Sequence, residues 1–256
     1  ELRDGGAMTD WPEGYGLRIL EQVDSTLSEA ARIAPHLSGP EWIMAREQTA
    51  ARGRRGRPWV FPRGNLAATL VLFPTETPGV TALRSFVAAL ALLDACEAVC
   101  GASDAFALKW PNDVLLNGGK LAGILLESAG HGKEMSHLAI GIGVNLVAAP
   151  GAQDVEQGAV APVSLQSETG VTVDPETFLV HLADAYASLE SQFRTLGFAP
   201  IRIAWLARAA RLGEVITART QRSETVGTFE TVDAEGNLVL KSAQGRVTVP
   251  AAEVYF

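Results

Sequence analysis

The sequence predicts an α+β protein, in which a mixed β-sheet flanked by helices is followed by a small β-barrel. From 17 to 146, apolar β-type runs alternate with helical periodicity, and from Gly213 onward short alternating strands fill the chain. With 256 residues, 47% of them hydrophobic, the chain can build one large core and one small one. We expect a large domain at 8–211 and a barrel at 212–256, and we place the polar residues before Met8 outside the fold.

The first part of the large domain holds the strands of the predicted sheet. They are expected at 17–23, 41–47, 66–73, 105–110, 113–117, 120–128 and 137–146, with helices near 26–34 and 81–100. Asn117, Gly118 and Gly119 separate two apolar runs and predict a hairpin, because glycine tolerates positive φ. That hairpin places Lys120 at its mouth.

A connector rich in Gly, Ala, Pro and Gln at 148–164 leads to one long helix. Asp174 is its expected cap, Pro175 its first residue and Gly197 its end. The barrel strands are expected at 214–220, 225–233, 237–242 and 246–256, with turns at 234–237 and 243–246.

Composition excludes several classes of function. A net charge of -8 and a pI near 5.1 argue against general affinity for nucleic acid or an anionic membrane. No run approaches the roughly 18 to 20 apolar residues of a membrane span, so a cytoplasmic enzyme is expected. Cys96 and Cys100 lie four apart and are expected as reduced residues on one helix face, and no His or Cys spacing predicts a metal site built by the protein alone.

Positive charge is concentrated in one segment, which reads RGRRGR at 52–57. Six arginines against Glu47 give 46–63 a charge of +5, so the rest of the chain carries -13. Guanidinium groups and glycine amides suit a phosphate or carboxylate, whereas a bare motif of this kind is more often a nucleic-acid tail or a solvated face. Because the segment lies between two predicted strands, just before Trp59, we favour an anion-binding loop.

Three further motifs carry polar groups. KWPND places Lys109, Asn112 and Asp113 after a strand, where turn chemistry and a functional site are equally supported. GGKLAG surrounds Lys120 with glycines, as expected where backbone and ammonium approach a ligand closely. GIGVNL lacks the third glycine and the helix of a dinucleotide fingerprint, and a lone Gly-x-Gly in a buried strand more often indicates tight packing than a phosphate loop.

Taken together, DST at 24–26, EQTAARGRRGRPW at 47–59, KWPND at 109–113, GGKLAGILLE at 118–127 and GIGVNL at 141–146 resemble the biotin protein ligases. The resemblance implies a class II synthetase-like catalytic domain with an SH3-like barrel. It implies an enzyme that uses ATP and Mg2+ to convert biotin to biotinyl-5'-AMP, and then transfers biotin to a lysine of a biotin carboxyl carrier domain. That carrier would belong to acetyl-CoA carboxylase or another biotin-dependent carboxylase.

The resemblance also implies roles for individual residues. The biotin-binding set is Ser25, Thr26, Gln48, Arg52, Gly53, Arg54, Lys120 and Gly123, with the first three at the ureido ring. The set that binds ATP or the adenylate is Arg52, Arg54, Arg55, Trp59, Lys109, Asn112, Lys120 and Asn145. Lys120, Arg54 and Asp113 would carry the catalysis, and Mg2+ would enter with ATP without a metal site built by side chains alone.

Two positions depart from the family pattern, since Ala51 replaces the usual first glycine of the loop and Leu27 follows Ser25-Thr26 where asparagine is common. The barrel is expected to dock on the catalytic domain and help hold the nucleotide or the carrier, with a stabilising cap as the alternative. With Met8 as the start, a DNA-binding domain has no room, so no nucleic-acid or membrane partner is expected, and a homodimer is left open. Two alternatives remain, a lipoate or octanoate transferase of the same fold and a nucleic-acid-binding module.

Overall fold

A computed structural model describes residues 11–53, 56, 59, 61–101, 104–131, 134–151, 158–220 and 222–256. Within these ranges the strands form a seven-stranded mixed sheet and a five-stranded antiparallel sheet. The large sheet is flanked by helices and the small one is formed by the C-terminal residues, which confirms the predicted α+β class.

The large sheet contains β1 (Gly16–Leu20), β2 (Glu41–Ala45), β3 (Leu66–Leu72), β4 (Phe106–Lys109), β5 (Asp113–Leu116), β6 (Gly119–His131) and β7 (Glu134–Val144). Their order is β1-β2-β3-β7-β6-β5-β4, with β1 and β2 parallel and the other neighbours antiparallel. Asn117 and Gly118 both have positive φ, 49° and 79°, and they join β5 to β6 as the predicted hairpin. Lys120 therefore lies one residue inside β6.

Helices cover both faces of this sheet. α1 (Thr26–Ile33) packs on one face. The other face carries α3 (Arg84–Cys100) and α5 (Pro175–Leu196), and α6 (Phe198–Ala207) packs against both of these helices. Two short helices, α2 (Pro78–Ala82) and α4 (Leu165–Thr169), complete the set. Asp174 caps α5, Pro175 is its first residue and Gly197 follows its end, as predicted.

The barrel sheet contains β8 (Val215–Arg219), β9 (Glu224–Val232), β10 (Leu238–Ser242), β11 (Gly245–Val249) and β12 (Glu253–Tyr255), in the order β11-β10-β9-β8-β12. Its core continues into that of the large domain, because Phe229 and Leu238 belong to the same buried cluster as Phe86 and Trp205. Trp110 Nε1 also donates to Gly236 O at 3.1 Å. The predicted docking of the barrel is therefore confirmed.

The sequence predictions were incomplete at four elements. The run 246–256 was expected as one strand, but it forms β11 and β12 with Pro250 between them, because proline has no N–H to donate to a ladder. α2, α4 and α6 were not individually predicted. In the part of the chain that the structure describes, no helix is both long and apolar enough to cross a membrane.

Candidate active site

A cleft of about 560 Å³ opens on the face of the large sheet that carries α1. Strands β3, β6 and β7 form its floor, and the first turn of α1, the β4–β5 turn, the connector around 159–162 and β12 form its walls. Many of the predicted site residues line this cleft, namely Ser25, Thr26, Gln48, Arg52, Gly53, Trp59, Lys109, Asn112, Asp113, Lys120 and Gly123. The motifs that are distant in sequence therefore meet in one place.

One end of the cleft is lined by small polar groups. The Gln48 Oε1 atom accepts from the Thr26 backbone N–H at 2.9 Å and lies 3.3 Å from Thr26 Oγ1. Thr69 Oγ1 donates to Thr26 Oγ1 at 2.8 Å, and Ser25 caps α1 by accepting from the Ser28 backbone N–H. These contacts fix the Thr26 hydroxyl and the Gln48 amide in position, so that they can pair with a polar ring.

Asp24 secures this end from outside the cleft. Its carboxylate accepts from Arg32 at 2.6 Å and 3.0 Å and from the Ser25 backbone N–H at 2.8 Å. The Arg32 hydrogen bonds, with the Ser25 amide as the next contribution, lower the pKa of Asp24 to about 2. Asp24 therefore stays charged at neutral pH and keeps the start of α1 in place.

The other end of the cleft carries a cluster of two lysines and one aspartate. Lys120 Nζ lies 2.8 Å from Asp113 Oδ1, and Lys109 Nζ lies 3.8 Å from Asp113 Oδ2. The Asp113 and Lys109 side chains are mostly buried, at 11% exposure each, whereas the Lys120 side chain is 29% exposed. Two ammonium groups against one carboxylate leave net positive charge here, which suits a phosphate or an activated carboxylate.

Between these ends, Trp59 lies across a pair of glycines. Gly123 of β6 and Gly143 of β7 are direct cross-strand partners. A Cβ atom at Gly123 would be 3.5 Å from the Trp59 ring, and one at Gly143 would be 3.1 Å from it, so the absence of side chains makes room for the indole. Lys120 Nζ lies 5.4 Å from the centroid of the ring, within the range of a cation–π contact.

Two predicted asparagines bond to backbone. Asn112 donates to Ile124 O, and the Asn112 carbonyl accepts from the Ile124 N–H at 2.9 Å, which ties the β4–β5 turn to β6. Asn145 is only 1% exposed, does not line the cleft, and donates to Val163 O at 3.0 Å. Since Val163 N–H donates to Lys120 O at 2.9 Å, Asn145 supports the segment that holds the Lys120 backbone. Its contact with a nucleotide stays a prediction.

Some predictions for the arginine-glycine loop can be compared with the structure and others cannot. Arg54 and Arg55 lie outside the described residues. Arg52 lines the cleft, and Ala51, which replaces the usual glycine, accepts from the Trp59 N–H at 2.9 Å across the base of the loop. Leu27, the other departure, is buried in an apolar cluster with Ala30 and Ile43 and also lines the cleft.

The structure adds residues that the sequence interpretation missed. Glu127 and Ser28 both bond to Arg52, and Glu253, Val254 and Tyr255 of β12 contribute to the cleft wall. Glu127 could have been found from strand periodicity, because it follows Gly123 and Leu125 on the same face of β6. No local pattern indicates the β12 residues. Among the described residues, no group of three or more His, Cys, Asp or Glu side chains could hold a metal ion.

Two parts of the chain each match a known family model. Residues 19–145 match the model of the biotin/lipoate A/B protein ligase family, and residues 212–256 match that of the biotin protein ligase C-terminal domain. The biotin–[acetyl-CoA-carboxylase] ligase of Paracoccus denitrificans is 58% identical over 238 residues, which are 93% of this chain and 99% of that protein. The bifunctional ligase/repressor BirA of Bacillus subtilis is 30% identical over 92% of this chain and 73% of its own length.

The fold is also shared with solved structures. The biotin protein ligase from Aquifex aeolicus, in a complex with biotin and ATP, matches with a TM-score of 0.77 and 24% identity. The match covers 93% of this chain and 97% of that one. Because the match extends over nearly the whole of both chains, it supports the same fold for the large sheet and for the barrel.

Proposed function

This chain belongs to the biotin/lipoate A/B protein ligase family, and we propose that its cleft forms biotinyl-5'-AMP and passes the biotin to a lysine of a biotin carboxyl carrier domain. The relative at 58% identity is named as a biotin–[acetyl-CoA-carboxylase] ligase, which supports biotin as the acid and the carrier of acetyl-CoA carboxylase as the acceptor. The observation that carries the proposal is the Lys109–Asp113–Lys120 cluster at one end of a cleft whose other end presents hydroxyl and amide groups. Arg52 donates to Ser25 Oγ at that other end, at 3.1 Å.

The reaction has two steps. In the first, a carboxylate oxygen of biotin bonds to the α-phosphorus of ATP, and the bond from that phosphorus to the pyrophosphate oxygen breaks. In the second, the carrier lysine amine bonds to the biotinyl carbonyl carbon, AMP leaves with the electron pair of the C–O bond, and the nitrogen loses a proton. In the first step the negatively charged carboxylate of biotin approaches the negatively charged α-phosphate. A cation fixed beside these two groups therefore lowers the activation barrier of adenylation most.

Lys120 is placed to supply that cation. Its ammonium is held by Asp113 at 2.8 Å on one side and lies over the Trp59 ring on another, so it is oriented before the substrates arrive. Lys109 adds a second positive charge, and Asp113 limits the orientations of both lysines. We assign Lys120 as the catalytic cation, Asp113 as the residue that positions it, and Lys109 and Asn112 to the nucleotide end.

The polar end suits the ring of biotin. A ureido group has N–H donors and a carbonyl acceptor, and Ser25, Thr26 and Gln48 offer hydroxyl and amide groups of both kinds. Gly123 and Gly53 line the path between the two ends. The roles of Arg54, Arg55 and Asn145 at the adenylate remain predictions from the resemblance.

The other partners follow from the same proposal. Mg2+ would be bound with ATP and would offset charge on the outer phosphates, and Asp113 and Glu253 are carboxylates in the lining of the cleft. A cytoplasmic location and the absence of a nucleic-acid partner stay predictions, and a homodimer stays open. The barrel contributes Glu253 and Tyr255 to the cleft wall, which supports a role in holding the nucleotide or the carrier over a role as a cap alone.

The proposed activity is tested by incubating the protein with biotin, ATP and Mg2+ and analysing the bound products by mass spectrometry. We expect biotinyl-5'-AMP, and after addition of a biotin carboxyl carrier domain we expect biotin on its acceptor lysine, with a lysine-to-alanine carrier as the control. Parallel reactions contain octanoate or lipoate in place of biotin. Acyl-AMP formation with octanoate or lipoate and none with biotin would favour the transferase alternative.

A substitution at Gly143 tests the Trp59 contact. We expect Gly143→Ala to raise the KM for biotin about tenfold, because the new methyl would displace the indole from the glycine pair, and overpacking typically costs about 1–3 kcal/mol. Gly39→Ala is the matched control, since nothing lies within 4 Å of its new Cβ atom. Steady-state kinetics with varied biotin measure the effect, and equal KM values for the two variants would show that Trp59 does not shape the biotin site.

A further inference from the structure

We propose that Arg52 and Glu127, together with Ser28, form a clasp that closes the mouth of the cleft over bound biotinyl-5'-AMP. This inference rests on the proposed function and extends it to Glu127 and Ser28, to which no role has been assigned. Glu127 and Ser28 would be positioning residues, because they act through Arg52 and are not among the residues that line the cleft.

The Arg52 guanidinium makes four hydrogen bonds to three residues. Its Nε and Nη2 atoms donate to the two carboxylate oxygens of Glu127 at 3.3 Å and 2.8 Å, which is a forked arrangement. Its Nη1 atom donates to Ser28 Oγ at 2.7 Å and to Ser25 Oγ at 3.1 Å. These bonds use most of the N–H groups of the side chain, so its position is strongly specified.

The partners of Arg52 lie on two different elements around the cleft, one in its wall and one in its floor. Ser25 and Ser28 belong to the cap and first turn of α1, whereas Glu127 belongs to β6. Gly123 and Leu125 line the cleft, and Glu127 is the next residue of that face, beyond the cleft lining. Arg52 therefore spans the opening from helix to strand.

The clasp also fixes the start of the arginine-glycine loop. Ala51 O accepts from the Trp59 N–H at 2.9 Å, so the chain is closed at the base of the loop, and Arg52 is the next residue after that closure. Gly53 follows it in the lining of the cleft. Holding the Arg52 side chain thus holds the backbone that faces the ligand.

The hydrogen bonds of the clasp are strong enough to hold the cleft closed, and partial exposure to water lets them open during turnover. The Arg52 and Glu127 side chains are 31% and 41% exposed, and exposed ion pairs are weak unless they have forked geometry or belong to a network. This pair has both features. We expect its loss to speed dissociation of biotinyl-5'-AMP about tenfold, the lower end of what charged hydrogen bonds contribute.

The experiment compares Glu127→Ala and Glu127→Gln with Glu41→Gln. Glu41 pairs with Arg18 at 2.9 Å on strands away from the cleft, so its variant removes the same charge and an ion pair without touching Arg52. Release of labelled biotinyl-5'-AMP is followed after a chase with unlabelled biotin and ATP, and KM and kcat for adenylation are measured separately.

We expect faster release and a raised KM for biotin in both Glu127 variants, larger in Glu127→Ala, with little change in kcat. The Glu41→Gln variant should match the wild type. Adding Arg52→Ala to Glu127→Ala should increase the release rate by less than the product of the two single effects. An active wild-type enzyme whose release rate is unchanged by both Glu127 substitutions would overturn the clasp alone, whereas a wild type that forms no biotinyl-5'-AMP would overturn the proposed function and the clasp together.

Discussion

The Lys120→Ala substitution is expected to slow formation of biotinyl-5'-AMP by about 100- to 1,000-fold, the usual cost of removing a preorganised group that stabilises developing charge. Lys120 is the more exposed lysine of the pair around Asp113, and its Nζ atom is 2.8 Å from that carboxylate inside the cleft. Lys109 remains in the variant, but it lies 3.8 Å from the other oxygen of Asp113. It therefore cannot restore the lost contact.

Measuring the two half-reactions separately distinguishes a role of Lys120 in adenylation from a general loss of structure. Transfer from supplied biotinyl-5'-AMP to the carrier domain should be affected far less than adenylation, because the bond to phosphorus already exists. Lys241→Ala, which removes an exposed lysine from β10 in the barrel, is the charge-matched control and should behave as the wild type in both assays. Equal losses in the two half-reactions of Lys120→Ala would remove its assignment as the cation for adenylation.

The Arg84→Met substitution is expected to lower the free energy of unfolding by about 3–5 kcal/mol, because it leaves a buried carboxylate without its partner. Arg84 begins α3, and its Nη2 atom contacts Glu190 Oε1 of α5 at 2.8 Å and Glu76 Oε1 at 3.0 Å. Its side chain is 3% exposed and that of Glu190 is 8% exposed. This pair joins the two long helices on the face of the sheet opposite the cleft.

Arg32→Met is the matched control for that prediction. Arg32 is also paired with two carboxylates, Asp24 and Glu29, but its side chain is 50% exposed, so its loss should cost far less stability than the loss of Arg84. Urea unfolding followed by tryptophan fluorescence and by circular dichroism gives both values. If the two variants lost the same stability, burial would not distinguish these ion pairs.

Local chemistry explains which elements could be predicted from the sequence. The Asn117-Gly118 turn and the Asp174-Pro175 start of α5 each depend on the conformational preference of one or two residues. α6 follows Gly197 directly, has no side-chain cap and contains Pro200 in its first turn, so its helical start has no local signal. Packing against α3 and α5 stabilises α6 in the absence of a capping residue or another local helix signal.

In the cleft, too, residues close in sequence could be predicted to meet, whereas residues far apart in sequence could not. Lys109, Asp113 and Lys120 lie on adjacent strands joined by short turns, so their motifs are neighbours in sequence and in space. Arg52 and Glu127 are 75 positions apart, and they meet because the start of the loop lies against β6 in the folded chain. Pairings of this kind depend on topology, and the resemblance to a family gave a role to Arg52 but none to Glu127.

A crystal structure of the protein with biotinyl-5'-AMP would show directly which end of the cleft binds each end of the adenylate. We expect the ureido ring within hydrogen-bond distance of Thr26 or Gln48 and the phosphate within contact of Lys120, with the Trp59 side chain close to the ligand. Adenylate bound with its phosphate away from Lys120, or with its ureido ring at the Lys109–Asp113 end, would contradict this expectation.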